Sequence, residues 1–288
     1  MRSEILKLVA DAGLERIAAP LLEASLPAIG FHVEVAQSAC PAGVSKLGGR
    51  PWLPPDFDWP TFKERRLDFL LQIDLVQVRR CDPAGMLPAT GTLSFFYDLD
   101  GQPWGYDPAD LGAHRVVWSP ESCGLVEHEV PHPELAWPEC RLDLFPMTTF
   151  PRNETLDAQR LFEATALSDE EFYSYLDLVP DLEKSFRKPG TAGNHHLLGH
   201  AANVQGEMQL EAQLVTNGLY CGNSNGYDDP RRQLLEPGAD QWLLLLQLDS
   251  DDSINVMWGD CGMVYVWIRR EDLVNRRFDK TWLGLQCY

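Results

Sequence analysis

The chain has 288 residues, 44% of them hydrophobic and 23% charged, enough for one large domain or two small ones whose core needs no disulfide staple. Its formal net charge of −19 argues against binding to phosphate backbones or anionic membranes, and would steer in a basic partner. No apolar run approaches the roughly 20 residues that span a bilayer, and "MRSEILKLVADAG" breaks its apolar positions with acids and shows no cleavage-site pattern. A cytoplasmic protein is therefore expected.

Residues 1–26 read as helical. Ile5, Leu8 or Val9, and Ala12 keep helical spacing, Gly13 closes that segment in a left-handed cap, and a second segment from Leu14 to Leu26 is ended by Pro27. The stretch "SKLGGRPWLPPDFDWP" (45–60) suits neither helix nor central strand. Its glycines allow a tight turn, its prolines hold an extended path, and Trp52 and Trp59 would anchor that path over a sheet; a ligand platform is the alternative. "LDFLLQIDLVQV" alternates Leu67, Phe69, Leu71, Ile73 and Leu75 on one face of a strand.

"GTLSFFYDLDG" and "HRVVWS" are further strands, followed by a loop-rich stretch to about residue 153. In "SDEEFYSYLDLVPDL" Ser168 and Glu171 form a capping box, with Phe172, Tyr175, Leu176 and Val179 as the apolar stripe. "QWLLLLQLDS", "INVMW" and "MVYVWIR" read as strands and "REDLVNRRF" as a short helix. The strands at 67–76 and 242–249 are dense enough in apolar residues to need cover on both faces.

Two of these strands echo each other: "FLLQIDL" (69–75) aligns with "LLLQLDS" (244–250), setting Gln72 beside Gln247 and Asp74 beside Asp249. Upstream, "SKLGGRP" matches "HHLLGHA", read with His195 in the place of Lys46 and a shared turn role. Such repeats imply two similar antiparallel sheets related by a pseudo-twofold axis. The expected fold is α+β, mainly antiparallel, as a single domain over 1–288 with N-terminal helices and a motif-bearing unit over 40–288.

The ordered set "SKLGGRPWLP…WP", "FLLQIDL", "LPATGTLSFFYD", "HHLLGHAANVQGEM", "LLLLQLDSDD", "MWGDCGMVYVWIRREDL" and a terminal "W…CY" resembles the YwqG family, bacterial domains of unknown function. The resemblance runs from about 40 to 288 and implies a mixed α+β fold rich in antiparallel strands. It implies no reaction, cofactor or catalytic residue. Residues 103 to 150 show none of the family's motifs.

Several constellations invite chemistry. Asp249, Asp251, Ser253, Asn255 and Asp260 have the spacing of a calcium loop, but Ile254 stands where that loop needs Gly. Asp251 and Asp252 read instead as a hairpin turn. His196 and His200 are four apart in "GNHHLLGH", where the glycines oppose a helix. His128 and His132 are read as part of an exposed loop. Gln72 and Gln247, in apolar strands, should each pin a neighbouring loop through the amide.

The seven cysteines (Cys40, Cys81, Cys123, Cys140, Cys221, Cys261, Cys287) form no CxxC pair and are expected buried and reduced, Cys261 as a packed thiol. No nucleophile elbow or phosphate loop is present.

Two readings of function follow. The first is a non-catalytic interaction protein, an immunity-type neutraliser of a basic toxin-like partner such as a nuclease domain. Its contact surface would be Asp98, Asp100, Asp107, Asp110, Glu127, Glu129 and Glu134, with no cofactor and no metal. The second is a hydrolase or metal-dependent enzyme using His195, His196, Asp251, Asp252 and Asp260.

Overall fold

The computed structural model describes residues 2–82, 84–120 and 124–288, so the expectation for Cys123 lies outside the described residues. Helices α1 (Arg2–Asp11) and α2 (Ala18–Ala24) precede β1 (Leu26–Val35). The chain continues through β2 (Lys46–Leu47), β3 (Trp52–Leu53), the hairpin β4 (Thr61–Phe62) and β5 (Arg65–Arg66), β6 (Asp68–Asp74) and α3 (Leu75–Val78). Next come β7 (Thr92–Tyr97), β8 (His114–Ser119), β9 (Val126–Glu127), β10 (Cys140–Thr149), α4 (Leu156–Thr165) and α5 (Asp169–Ser185). The last part holds β11 (His196–Leu197), α6 (Met208–Val215), α7 (Ser224–Asp228), α8 (Arg232–Leu235), β12 (Trp242–Asp249), β13 (Met263–Arg269), α9 (Arg270–Val274) and β14 (Trp282–Gln286).

Ten strands form one antiparallel sheet in the order β14-β13-β12-β11-β1-β10-β2-β6-β7-β8. The fold is α+β, as expected, and the sheet order is a palindrome about β1 and β10. In chain order the units β1-β2-β6-β7-β8 and β10-β11-β12-β13-β14 repeat, but their first strands are exchanged: β1 pairs with β11 and β10 with β2. The ladder between β1 and β10 runs without a break from Leu26↔Thr149 to Val35↔Cys140. Matching Ile29–Leu197 to Cys140–Leu47 places the pseudo-twofold axis at the His32↔Asp143 pair.

The repeat holds at single hydrogen bonds. Leu142 N donates to Ser45 O at 3.0 Å, and Phe31 N to His195 O at 3.2 Å. Gly48 N donates to Leu70 O and Leu198 N to Leu245 O, at 2.8 and 3.3 Å. Gln72 pairs with Lys46 and Gln247 with His196. The Gln72 amide accepts from Trp52 N (2.8 Å) and donates to Trp52 O (3.2 Å), while Gln247 accepts from Ala202 N (2.8 Å) and donates to Asn194 O (2.7 Å). Both amides therefore pin a loop that leaves the sheet, which satisfies a buried polar group in each half.

Four readings of the sequence are corrected. The register puts Lys46 opposite His196, and Ser45 opposite His195, rather than Lys46 opposite His195. Leu26 opens β1 rather than closing a helix: α2 ends at Ala24, and Pro27 lies inside the strand. The missing N–H of Pro27 points to the side where β11 pairs only Ile29 and Gly30, so no ladder bond is lost. In β6 a bulge at Leu70 breaks the alternation: Leu67 and Phe69 join an outer cluster, Leu71 and Ile73 the main core. β12 carries the same bulge, at Leu245. Finally, "INVMW" is no strand, because Asp251 caps a 3-10 turn over Asp252–Ile254 and only the Asp251↔Val256 bridge follows.

The strands β6 and β12 lie inside the sheet, each flanked by two neighbours, but its centre is β1·β10. The inner face of both halves supplies one core, from Leu71, Phe95 and Val116 to Leu246, Val266 and Leu283. The sheet curls until its ends meet: His114 of β8 shares a hydrogen bond with Thr281 Oγ1 (3.1 Å).

Four outer clusters cover the other face, the smallest being Ala28, Phe145 and Met147. α1, α2, α4 and α5 bury Val9, Ile17, Leu21, Leu161 and Leu182 around Phe150. α6 packs on Trp242, Trp267 and Trp282. The proline-rich segment seats Leu53 and Phe62 on Phe69 and Phe96. There Trp59 donates to Leu67 O (2.7 Å) and Trp52 to Cys40 O (2.9 Å), so the two rings act as anchors. Gly48 and Gly49, at φ 64° and 66°, make the turn that sends this segment outward; a Cβ on Gly48 would lie 2.4 Å from Pro138 O.

Replacing Gln247 with Leu strands the buried Ala202 N–H and Asn194 carbonyl. Urea unfolding should then show a loss of about 1–3 kcal/mol, and Gln72→Leu should behave alike. Unchanged midpoints in both variants would show that the amides do not hold the loops.

Candidate functional site

The residues of the enzyme reading separate into three places. His195 and Asp251 do meet, at 3.5 Å between Nε2 and Oδ2, with side chains 0% and 2% exposed. Nδ1 of His195 accepts from Asp249 N at 3.0 Å, which fixes the tautomer with the proton on Nε2, directed at Asp251. Both ring nitrogens are thus engaged, and the ring stacks on Phe31, 6.3 Å between centroids. Oδ1 of Asp251 accepts from Ser253 N and Oγ (2.9 and 2.6 Å); the His195 bond, then Ser253, holds the carboxyl down to about 2. Asp249 accepts from Asn194 N at 2.8 Å.

His196 points to the other face, where Nε2 donates to His200 O at 3.1 Å and burial pushes its pKa down to about 3. Asp252 and Asp260 are exposed on the surface. Among the described residues no three His, Cys, Asp or Glu side chains are grouped as metal ligands would be.

In the other half, Lys46 takes the role of His196. Its Nζ donates to Arg50 O (2.5 Å), the counterpart of His200 O, and to Glu139 Oε2 (2.8 Å), with the Lys side chain 0% exposed. Glu139, held below its usual range despite burial by the Lys46 and Cys40 bonds, aligns with Ala28 on the opposite side of the axis. One repeat thus carries a buried ion pair and the other a neutral imidazole.

The predicted contact residues divide as well. Asp98 is buried and accepts from Arg65 Nη1 at 2.9 Å, beside Asp68 at 2.8 Å. Asp110 accepts from Gly105 N (3.0 Å), and burial raises its pKa. Asp107 caps a turn through Ala109 N at 2.8 Å. Asp100, Glu127, Glu129 and Glu134 are exposed. Glu127 and Glu129 already face Arg50 (3.6 and 3.0 Å), and Glu134 faces His132 (3.9 Å).

Asp98 and Asp110 are therefore structural carboxylates rather than contact residues. The loop of His128 and His132 is packed as well as exposed: β9 pairs with β3, and the rings bond to Pro54 O (2.9 Å) and Arg66 O (3.2 Å).

What the sequence reading missed on the 98–113 loop is its aromatic part. Trp104 O accepts from Leu285 N (2.9 Å), Gly105 O from Trp282 Nε1 (2.8 Å), Tyr106 O from Cys221 N (2.8 Å), and Pro103 O from Tyr97 (2.6 Å). A Cβ on Gly105 would stand 2.0 Å from Leu283 O, so only glycine lets the loop lie directly on β14. Fastened in this way, the loop presents Trp104 (36% exposed) beside Tyr106 and Tyr220 (39% exposed), with ring centroids 6.3 and 5.6 Å apart in sequence. Gln102 ties it to the turn that carries the exposed Asp260, through Met257 O and Gly259 N, both at 3.3 Å. The signal was present in the "PWGYD" spelling of the loop.

The architecture defines a class: a duplicated, strand-exchanged antiparallel sheet with helices on its outer face. The chain belongs to the family described as domain of unknown function (DUF1963), which matches residues 45–287. That match begins at the residue before β2, so β1 lies upstream of it. No curated protein matches the chain. No helix among the described residues is long and apolar enough to cross a membrane.

Two expectations follow. The unfolded chain takes up a proton at His196 near pH 6.5 and the folded chain only near 3, so stability falls as pH drops through that window. His114, buried and down to about 4, acts in the same sense, and Asp251 adds a loss between the ordinary Asp range and about 2. His196→Gln keeps an N–H for His200 O, so urea midpoints at pH 7 and 4.5 should differ less than in the wild type; an equal difference would mean that His196 does not titrate there.

Cys261, read from sequence as packed, is exposed, because it sits in a left-handed turn (φ 51°) ahead of β13 rather than in the strand, while the other five described cysteines are buried. A thiol reagent should lose one fast equivalent in Cys261→Ser, and retention of that equivalent would place the reactive thiol elsewhere.

Proposed function

We propose that this chain is a non-catalytic interaction module, YwqG-like and bacterial, that neutralises a basic toxin-like protein in the cytoplasm. The observation that carries this reading is the 98–113 loop, fastened by four backbone carbonyls yet leaving Trp104, Tyr106 and Tyr220 at the surface beside carboxylates. Interfaces draw most of their energy from Trp, Tyr and Arg anchors on pre-organised surfaces, and the charge of −19 adds long-range attraction for a basic protein while opposing nucleic acid and anionic membranes. The contact set is accordingly revised to the three rings with Asp100, Asp107 and Asp260, and with Glu127, Glu129 and Glu134 as a second, more distant acidic group. Catalysis by His195 and Asp251 is the weaker reading, since both imidazole nitrogens are bonded and the pair is closed to solvent.

Stopped-flow binding of a lysine- and arginine-rich peptide, followed through Trp fluorescence, tests the charge; co-expression with any basic toxin-like protein found encoded beside the gene tests the toxin role. The on-rate should fall as salt rises, and Asp100→Lys with Asp260→Lys should lower it by about tenfold. Trp104→Ala should act on dissociation instead. Association indifferent to salt and to these substitutions, or no protection on co-expression, would overturn the proposal.

A further inference from the structure

A cleft opens where the helical layer meets the sheet. A cavity of about 200 Å³ is lined by Arg152, Glu154, Tyr175, Leu176, Val179 and Asn203. A second of about 50 Å³ is lined by Asn203, His200, Glu207, Trp242 and Trp267. Asn203 stands in the wall of both. Among the described residues nine buried side-chain nitrogen or oxygen atoms have no hydrogen-bond partner, and three of them line this cleft: Arg152 Nε, Asn203 Oδ1 and Trp267 Nε1.

Trp267 is only 5% exposed, so its idle N–H costs stability unless something accepts from it. The rims are latched: Glu154, held at φ 67°, accepts from Gly206 N (3.0 Å), and Glu207 accepts from Leu156 N (2.6 Å). A left-handed non-glycine residue held in this way is a form of strain that collects at functional sites.

We infer that this cleft binds a free α-amino acid as its zwitterion. Arg152 Nε and the indole N–H supply donors for a carboxylate, and among the described residues they are the only buried side-chain donors in the walls without a partner. Asn203 Oδ1 is the idle acceptor, and Glu154 and Glu207 add negative charge for an ammonium group. Tyr175, Leu176 and Val179 offer an apolar wall to the side chain. Both cavities are smaller than the usual 300–1,000 Å³ of drug-sized ligands, which limits the occupant to the size of a single amino acid. Arg152 keeps its ion pair with Glu183 (2.5 Å) through Nη2, leaving Nε for the ligand. A polyol would satisfy the neutral atoms and leave the opposed charges without use.

The test is calorimetry and thermal melting of the full chain against the twenty amino acids, with the matching amines and carboxylic acids as single-charge probes. At least one amino acid should raise the melting temperature and bind tenfold or more tightly than either single-charge analogue. Trp267→Phe removes an N–H that has no partner among the described residues, so its own melting point should hold or rise while ligand affinity drops tenfold; Asn203→Ala should also weaken binding. No response to any amino acid at 10 mM, equal binding of the analogues, unaltered affinity in both variants, or a crystal structure with only ordered water in the cleft would overturn the inference.

Discussion

The ladder between β1 and β10 is the constraint on which the rest of the molecule depends. It joins the first strand of one repeat to the first strand of the other, and each then serves the partner repeat: β1 lies against β11, and β10 against β2. Because β2 and β11 have two residues each, almost the whole connection between the repeats runs through these central strands. The curled sheet, the shared inner core and the meeting of β8 with the segment before β14 all follow from that junction.

Around the axis the two halves keep geometry and trade chemistry. Gly48 and Leu198 hold the same left-handed turn at φ 64° and 60°, as do Gly49 and Gly199 at 66° and 78°. The hydroxyl of Ser45 and the imidazole of His195 accept from equivalent backbone amides, of Asp74 and Asp249. The Lys46–Glu139 pair stands against His196 and Ala28, an exchange of buried charge for a neutral ring. A buried ion pair seldom adds net stability over an apolar replacement, but breaking one side of it is costly. Each half has therefore locked in its own solution, with Lys46 and Glu139 in one and His195 and His196 in the other.

Much of the fold was legible because strands announce themselves by apolar density and by punctuation. The echo of Gln72 in Gln247 was readable in seven residues, and the Ser168 capping box forms as its spelling implies. Other features were hidden for physical reasons. β1 went unread beyond the helix end at Leu26, because Pro27 reads as a stop yet is tolerated wherever a neighbouring strand fails to reach it. The bulge at Leu70 cannot be seen in an unbroken run of apolar letters, since every register of that run looks buried. The acidic loop was found by charge alone. Its division into structural carboxylates and free ones depends on where Arg65 and Gly105 lie, which no local pattern encodes.

Strand exchange also sets the order in which this protein can be made. β1 is synthesised before either of its partners, which lie at 140–149 and 196–197, more than a hundred residues later. A chain emerging from the ribosome at about 5–20 residues per second must hold an apolar strand unpaired for many seconds. Contacts so distant in sequence place the molecule among slow folders, whatever its final stability. The net charge of −19 then matters during biogenesis: like-charged nascent chains repel one another while their central strands wait for partners.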